Sequence, residues 1–144
     1  YLVTPYAGKL SRAIRKEPKF YLWDWSEISD IGARFENLIA SHLLKWCHFC
    51  EDFGYPPLGL HFVRDKEKRE VDFLVTQNNQ PWFLVEVKSS QNRSLNSALA
   101  VFQAQTKAKH SFQVVFDMPD TRQDCFQHTV PIIVPVQSLL AQLV

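Results

Sequence analysis

The apolar positions of this chain follow two different periods. From Ile31 to about Cys50 they fall at Ile31, Phe35, Leu38, Ile39, Leu43, Trp46 and Cys47, the spacing of an amphipathic helix. Ser26 or Asp30 stands where its N-cap belongs, and Gly54 with Pro56-Pro57 ends it. Downstream come short apolar runs of strand character at 59–64, 70–75 and 82–88. The charged residues 65–69 and the polar Gln77-Asn78-Asn79-Gln80-Pro81 link them closely, which favours antiparallel neighbours. A second helix is predicted from Ser94 to about Lys109, with Leu95, Ala98, Leu99, Val101 and Phe102 as its apolar face. Strands are predicted at 112–117 and 130–134, a loop at 119–128 and a closing helix at 136–143. Ahead of the first helix, 1–6 reads as extended and 19–23 as a short aromatic strand. This order predicts an α/β fold of the α+β kind, a mixed sheet flanked by helices. Residues 1–23 read as a lead-in segment and 24–144 as the domain proper.

Two of these strands carry charge where a buried strand should carry none. Asp72 interrupts Glu70-Val71-Asp72-Phe73-Leu74-Val75, and Glu86 and Lys88 end Phe83-Leu84-Val85-Glu86-Val87-Lys88. Side chains alternate along a strand, so Glu86 and Lys88 point the same way. Asp72, on the neighbouring run, is within reach of the same spot. Each acid alone reads more readily as an exposed edge or cross-strand charge. Together, among Val71, Phe73, Val85 and Val87, such charges are expensive unless paired or metal-bound. Two carboxylates and a lysine at a sheet end suit phosphodiester hydrolysis with a hard divalent ion, Mg²⁺ or Mn²⁺, bound by oxygen ligands. Asp72, Glu86 and the carbonyl of Val87 are the candidate ligands. Lys88 would hold the attacking water or the phosphate, and Glu36, at the edge of the helix's apolar face, would reach a second ion or its water.

Composition limits the remaining choices. The 144 residues, 46% hydrophobic and 22% charged, fit one globular domain. A net charge of +1 gives no global basic field, so nucleic-acid contact must come from local patches. One is Lys9, Arg12, Arg15, Lys16 and Lys19; another contains Lys66, Lys68 and Arg69. Each reads equally well as an ordinary solvated face. Three cysteines and no secretory segment point to a reducing, cytoplasmic setting. No apolar run approaches the ~20 residues of a membrane span. A first residue that is not Met suggests a piece of a longer protein. Cys47-x-x-Cys50 and Cys125-x-x-His128 have the spacing of zinc ligands. Cys47 lies in the helix's apolar series, however, so buried free cysteine is the better reading and structural zinc is not expected.

Glu36 on the first helix, Asp72 on the second strand and Glu86-Val87-Lys88 on the third together resemble the core motif of the Asp/Glu-x-Lys nuclease superfamily. Its restriction-endonuclease-like fold has an αβββαβ core. The likeness is closer still to one branch. Phe35-Glu36-Asn37-Leu38-Ile39-Ala40, Glu70 to Val75 and Val85-Glu86-Val87-Lys88-Ser89-Ser90 look like the C-terminal domain of uncharacterised function found in many bacterial and archaeal AAA-type ATPases. Pro18-Lys19-Phe20-Tyr21-Leu22-Trp23-Asp24 resembles the strand that enters that domain after a winged-helix-like region. The resemblance implies a metal-dependent DNA endonuclease domain, with Glu36, Asp72, Glu86 and Lys88 catalytic and a glutamine, Gln103 first and Gln105 next, contacting DNA or the site. It also implies an ATPase domain of the same full-length protein as partner and, as for many relatives, a second copy of the chain. The family's aromatic four residues after the glutamine is replaced here by Lys107, and no Gly-Lys-Ser/Thr phosphate loop occurs. The alternative reading is a catalytically silent module of the same fold that binds DNA or protein in the service of the ATPase.

Overall fold

The computed structural model describes residues 1–8, 17–90, 92 and 94–143. Lys9, Arg12, Arg15 and Lys16 of the first basic stretch lie outside them. Strands β1 (Leu2–Pro5) and β2 (Lys19–Phe20) precede the long helix α1 (Ile31–Asp52). The strands β3 (Leu58–Arg64), β4 (Glu70–Gln77) and β5 (Gln80–Lys88) follow, then α2 (Ser97–Thr106), β6 (His110–Val115), β7 (Ile132–Pro135) and α3 (Val136–Leu140). The fold is α+β, with the predicted helix, three strands, helix, strand order at its centre.

One seven-stranded sheet runs β2-β1-β3-β4-β5-β6-β7. β3, β4 and β5 form the expected antiparallel meander. Its β4–β5 turn is made by Asn78 and Asn79 at φ 52° and 61°, positive values that asparagine tolerates and a tight hairpin requires. β1 joins β3 in parallel, as β6 joins β5 and β7 joins β6. The residues read as a lead-in segment therefore supply two strands of the same sheet.

Helices cover both faces. On one, Ile39, Ala40 and Leu43 of α1 meet Phe73, Val75, Phe83, Val85, Phe112 and Val114. On the other, Ala98, Leu99 and Phe102 of α2 meet Val63, Val71, Leu74 and Leu84. Strand alternation sorts Phe83 and Val85 to the first face and Leu84 to the second.

Local chemistry explains where elements end. Asp30 caps α1, its carboxylate accepting from the Ala33 amide at 2.7 Å. α2 is shorter than its apolar pattern. Asn96 caps it, accepting from the Ala98 amide at 2.9 Å, and Lys107 stops it in a left-handed conformation at φ 64°. β2 stops at Phe20 because the buried Asn37 side chain takes over the backbone of Leu22, accepting from its amide at 2.8 Å and donating to its carbonyl at 2.7 Å. A short 3-10 turn at Cys125–Gln127 interrupts the long loop before β7.

Candidate functional site

The β4–β5 pairing runs from Gln77–Gln80 to Phe73–Val85. Beyond that point Val71 and Glu70 pair with β3, while Glu86, Val87 and Lys88 pair with β6. The two strands fork there, and the acids singled out in the sequence sit in the fork.

A β-bulge aims Asp72. His61 faces Leu74 and Val63 faces Val71, so Phe62 alone opposes both Asp72 and Phe73. Val71 and Leu74 consequently lie in the same core cluster, under α2. Alternation is reset between them, and Asp72 turns toward the α1 side. Bulges commonly re-aim a side chain in this way. Asp72 Oδ2 accepts from the Val87 amide at 2.9 Å, filling the gap between the strands with a carboxylate. The Val87 N–H thus points at Asp72.

Glu86 and Lys88 point the same way, as their spacing requires. Lys88 Nζ donates to Glu86 Oε1 at 2.6 Å, and Asn96 Nδ2 donates to the same oxygen at 2.8 Å. Asn96 opens α2, so the helix N-terminus and its favourable dipole lie beside the carboxylate. Gln113 of β6 holds that opening in place, accepting from the Asn96 amide at 2.8 Å and donating to the Ser94 carbonyl at 3.1 Å.

The α1 side of the fork is also charged. Lys19 Nζ lies 3.2 Å from Glu36 Oε1, 2.5 Å from Glu70 Oε1 and 3.8 Å from Asp72 Oδ1. Tyr21 donates its hydroxyl to Glu36 Oε1 at 2.6 Å. Burial first, then the neighbouring carboxylates of Glu36 and Glu86, push the Asp72 carboxyl up to about 8. Burial acts to lower Lys19, but Glu36, Glu70 and Asp72 outweigh it and hold the ammonium above its ordinary value. The Tyr21 hydroxyl is raised by burial and by Glu36, so it remains a donor.

Of the predicted residues, Glu36 and Asp72 meet on the α1 side around Lys19, while Glu86 and Lys88 pair at the start of α2. Glu36 raises Asp72 from the α1 side and Glu86 raises it from the other. Lys19, Tyr21, Glu70, Asn96 and Gln113 also belong to the site. The alternation Lys19-x-Tyr21 was one signal for the first two, since it puts both on one side of an extended chain.

Other predicted residues lie elsewhere. Gln103 stands at the far end of the sheet, its amide donating to the Lys109 and Thr129 carbonyls at 3.3 and 2.8 Å. There the Lys109 amide bonds the Trp82 carbonyl, near the opposite end of β5 from Lys88. Lys66 and Lys68 are exposed on the β3–β4 turn, which leads directly into Glu70. Arg69 is committed within that turn, to Asp65 at 2.6 Å and Glu67 at 3.0 Å. Cys47 is buried on α1, and burial followed by the nearby Cys50 pushes its thiol up to about 12.

Hard oxygen donors of this kind fit a divalent ion. Glu86 Oε2 is buried and, among the described residues, has no hydrogen-bond partner, an open valence that a cation would satisfy. Among the described residues no three His, Cys, Asp or Glu side chains already form a metal-binding group. The Lys19 ammonium lies between three of the acids.

The chain is therefore a three-layer α+β domain with a half-buried acid and lysine site at a strand fork. Residues 31–139 match the family described as a domain of unknown function, DUF4143, and the chain belongs to it. No curated protein and no solved structure matches it. The matched span holds Glu36, Asp72, Glu86 and Lys88; Lys19 and Tyr21 lie ahead of it. Among the described residues no helix is long and apolar enough to cross a membrane.

Proposed function

We propose that this domain is a metal-dependent DNA endonuclease of restriction-endonuclease-like fold, the nuclease partner of an AAA-type ATPase domain in the same full-length protein. The observation that carries the reading is the fork. Asp72 and the Glu86–Lys88 pair enter it from adjacent strands, and Asp72 is raised by burial and then by the charges of Glu36 and Glu86. Carboxylates crowded so closely stabilise a cation between them.

Asp72, Glu86 and the backbone of Val87 would hold the ion, Mg²⁺ or Mn²⁺. Bound there, it would supply a nucleophilic water near neutral pH and offset charge on the phosphate. The chain's own residues do the rest. Lys88, held at 2.6 Å from Glu86, presents an ammonium to the scissile phosphate and its water. Asn96 keeps Glu86 Oε1 oriented, leaving Oε2 for the ion. Lys66 and Lys68, exposed on the turn next to Glu70, would meet phosphates of a strand lying across the fork.

A second reading has its own support. Lys19 already pairs with three of the acids, as expected of a silent module that keeps the fold for binding DNA or the ATPase.

Cleavage assays separate the two. The protein is incubated with Mg²⁺ or Mn²⁺ and supercoiled, branched or single-stranded DNA, beside Lys88→Ala. Metal-dependent cleavage that falls by about 10²-fold or more in Lys88→Ala is expected. Absence of cleavage on every substrate, or cleavage indifferent to Lys88→Ala, sinks the enzyme reading.

A further inference from the structure

Lys19, like Tyr21, is a residue at the fork that neither the nuclease motif nor the matched family span accounts for. Its Nζ is the common neighbour of Glu36 Oε1, Glu70 Oε1 and Asp72 Oδ1, all within 3.8 Å. Those three acids stand on α1 and β4, two firmly packed elements. Lys19 stands on β2, a two-residue strand at the sheet edge that is paired to β1 alone. Its side chain remains 23% exposed, and its ammonium lies 5.3 Å from the centre of the Phe62 ring. A short edge strand thus carries the charge that links acids of two packed elements. Across the fork, Glu86 is 95% buried by its 5% exposure, and its Oε2 has no partner among the described residues.

The Lys19 ammonium and a divalent ion cannot both take Asp72 Oδ1 at close range, since like charges a few ångströms apart in a half-buried site repel strongly. We propose that Lys19 is a tethered competitor for the divalent cation: the ion binds at the acids by displacing the Lys19 ammonium toward solvent, so occupancy of the site and the position of the β2 edge are coupled. This rests on the metal-site reading above. The exchange swaps ammonium–carboxylate contacts for metal–oxygen ones; no covalent bond of the chain is made or broken, and Lys19 keeps its proton.

The competition sets a quantitative expectation. When the ammonium holds the site most of the time, the apparent affinity for an ion falls by the fraction of time the site is free. Removing the charge while keeping the stem over Phe62, by Lys19→Met, should tighten Mn²⁺ binding by about tenfold or more. Lys19→Arg keeps the charge and should stay near wild type. Without metal, Lys19→Met should melt at a lower temperature than wild type because three acids lose their counter-charge. Added Mn²⁺ should raise its melting temperature more than that of wild type.

The experiment titrates Mn²⁺ by calorimetry into wild type, Lys19→Met, Lys19→Arg and Asp72→Asn, with melting temperatures taken in chelator and in Mn²⁺. In parallel, wild type carrying ¹⁵N-labelled lysine is titrated with Mg²⁺. One protected ammonium signal, assigned by its absence in Lys19→Met, should lose its protection from solvent exchange. That arm needs only a spectrum of the variant, and with wild type alone the loss of one protected lysine signal is still read. Wild type that binds Mn²⁺ in an Asp72-dependent way, with Lys19→Met binding no more tightly, overturns the competition and leaves the metal site standing. No Mn²⁺ binding by any variant overturns both.

Discussion

Asp72 concentrates the chemistry of this domain in one carboxyl group. Burial, Glu36 and Glu86 raise it to about 8, against ~4 for an aspartate in the unfolded chain. Between those values the folded protein holds a proton that the unfolded chain has released. Stability therefore falls as pH rises through that window, by up to about 1.4 kcal/mol per pH unit, and levels off above it. Asp72→Asn keeps an acceptor for the Val87 amide and removes the titration. Urea melts between pH 5 and 8 should show a slope in wild type that is largely absent from Asp72→Asn; equal slopes would contradict this account. An ion taking Asp72 near neutral pH would displace that proton.

At the scale of elements, the start of α2 joins helix formation to the site. Asn96 caps the helix through its Oδ1 and donates to Glu86 through its Nδ2. Asn96→Ala should lose the cap, worth about 1 kcal/mol, and leave a buried carboxylate short of a donor, for a further 1–3 kcal/mol. Asn96→Ser restores a cap but not the long donor, so denaturant titrations of the two variants separate the contributions. Equal stability of Asn96→Ala and wild type would show that Glu86 does not depend on α2. The bulge at Asp72–Phe73 is the matching device on β4. It costs one ladder position and turns one acid across the sheet.

At the scale of the molecule, the sheet edge and the site are one structure. Val3 and Tyr21 are buried in the main core, and Tyr21 and Lys19 both reach Glu36. A chain beginning at Asp24 would lose both apolar side chains, worth about 1.5–3 kcal/mol each, and the counter-charge of three acids. It should unfold at clearly lower urea concentration than the full chain. Equal midpoints would mean that β1 and β2 are dispensable and that residues 1–23 belong to something else.

Much of this was legible along the chain, and the reason is periodicity. The apolar spacing from Ile31 marked α1, and the short polar links at 65–69 and 77–81 marked the meander. Glu86 and Lys88 two apart on a strand had to share a face. The amphipathic face of α2 was visible too, but its true start was not. Asn96 acts as a cap because Gln113, on a later strand, holds its backbone. Asp72's direction was hidden for the same kind of reason, since Phe62 on β3 must oppose two residues before the bulge exists. Local pattern by itself determined the elements and the presence of misplaced charges, because it depends on neighbours three or four residues away. Only the tertiary structure decided that Lys19, 53 positions ahead of Asp72 in the numbering, shares its site. Contacts of that span are set by how the sheet closes on its edge, and no short-range repeat of apolar and polar residues encodes them.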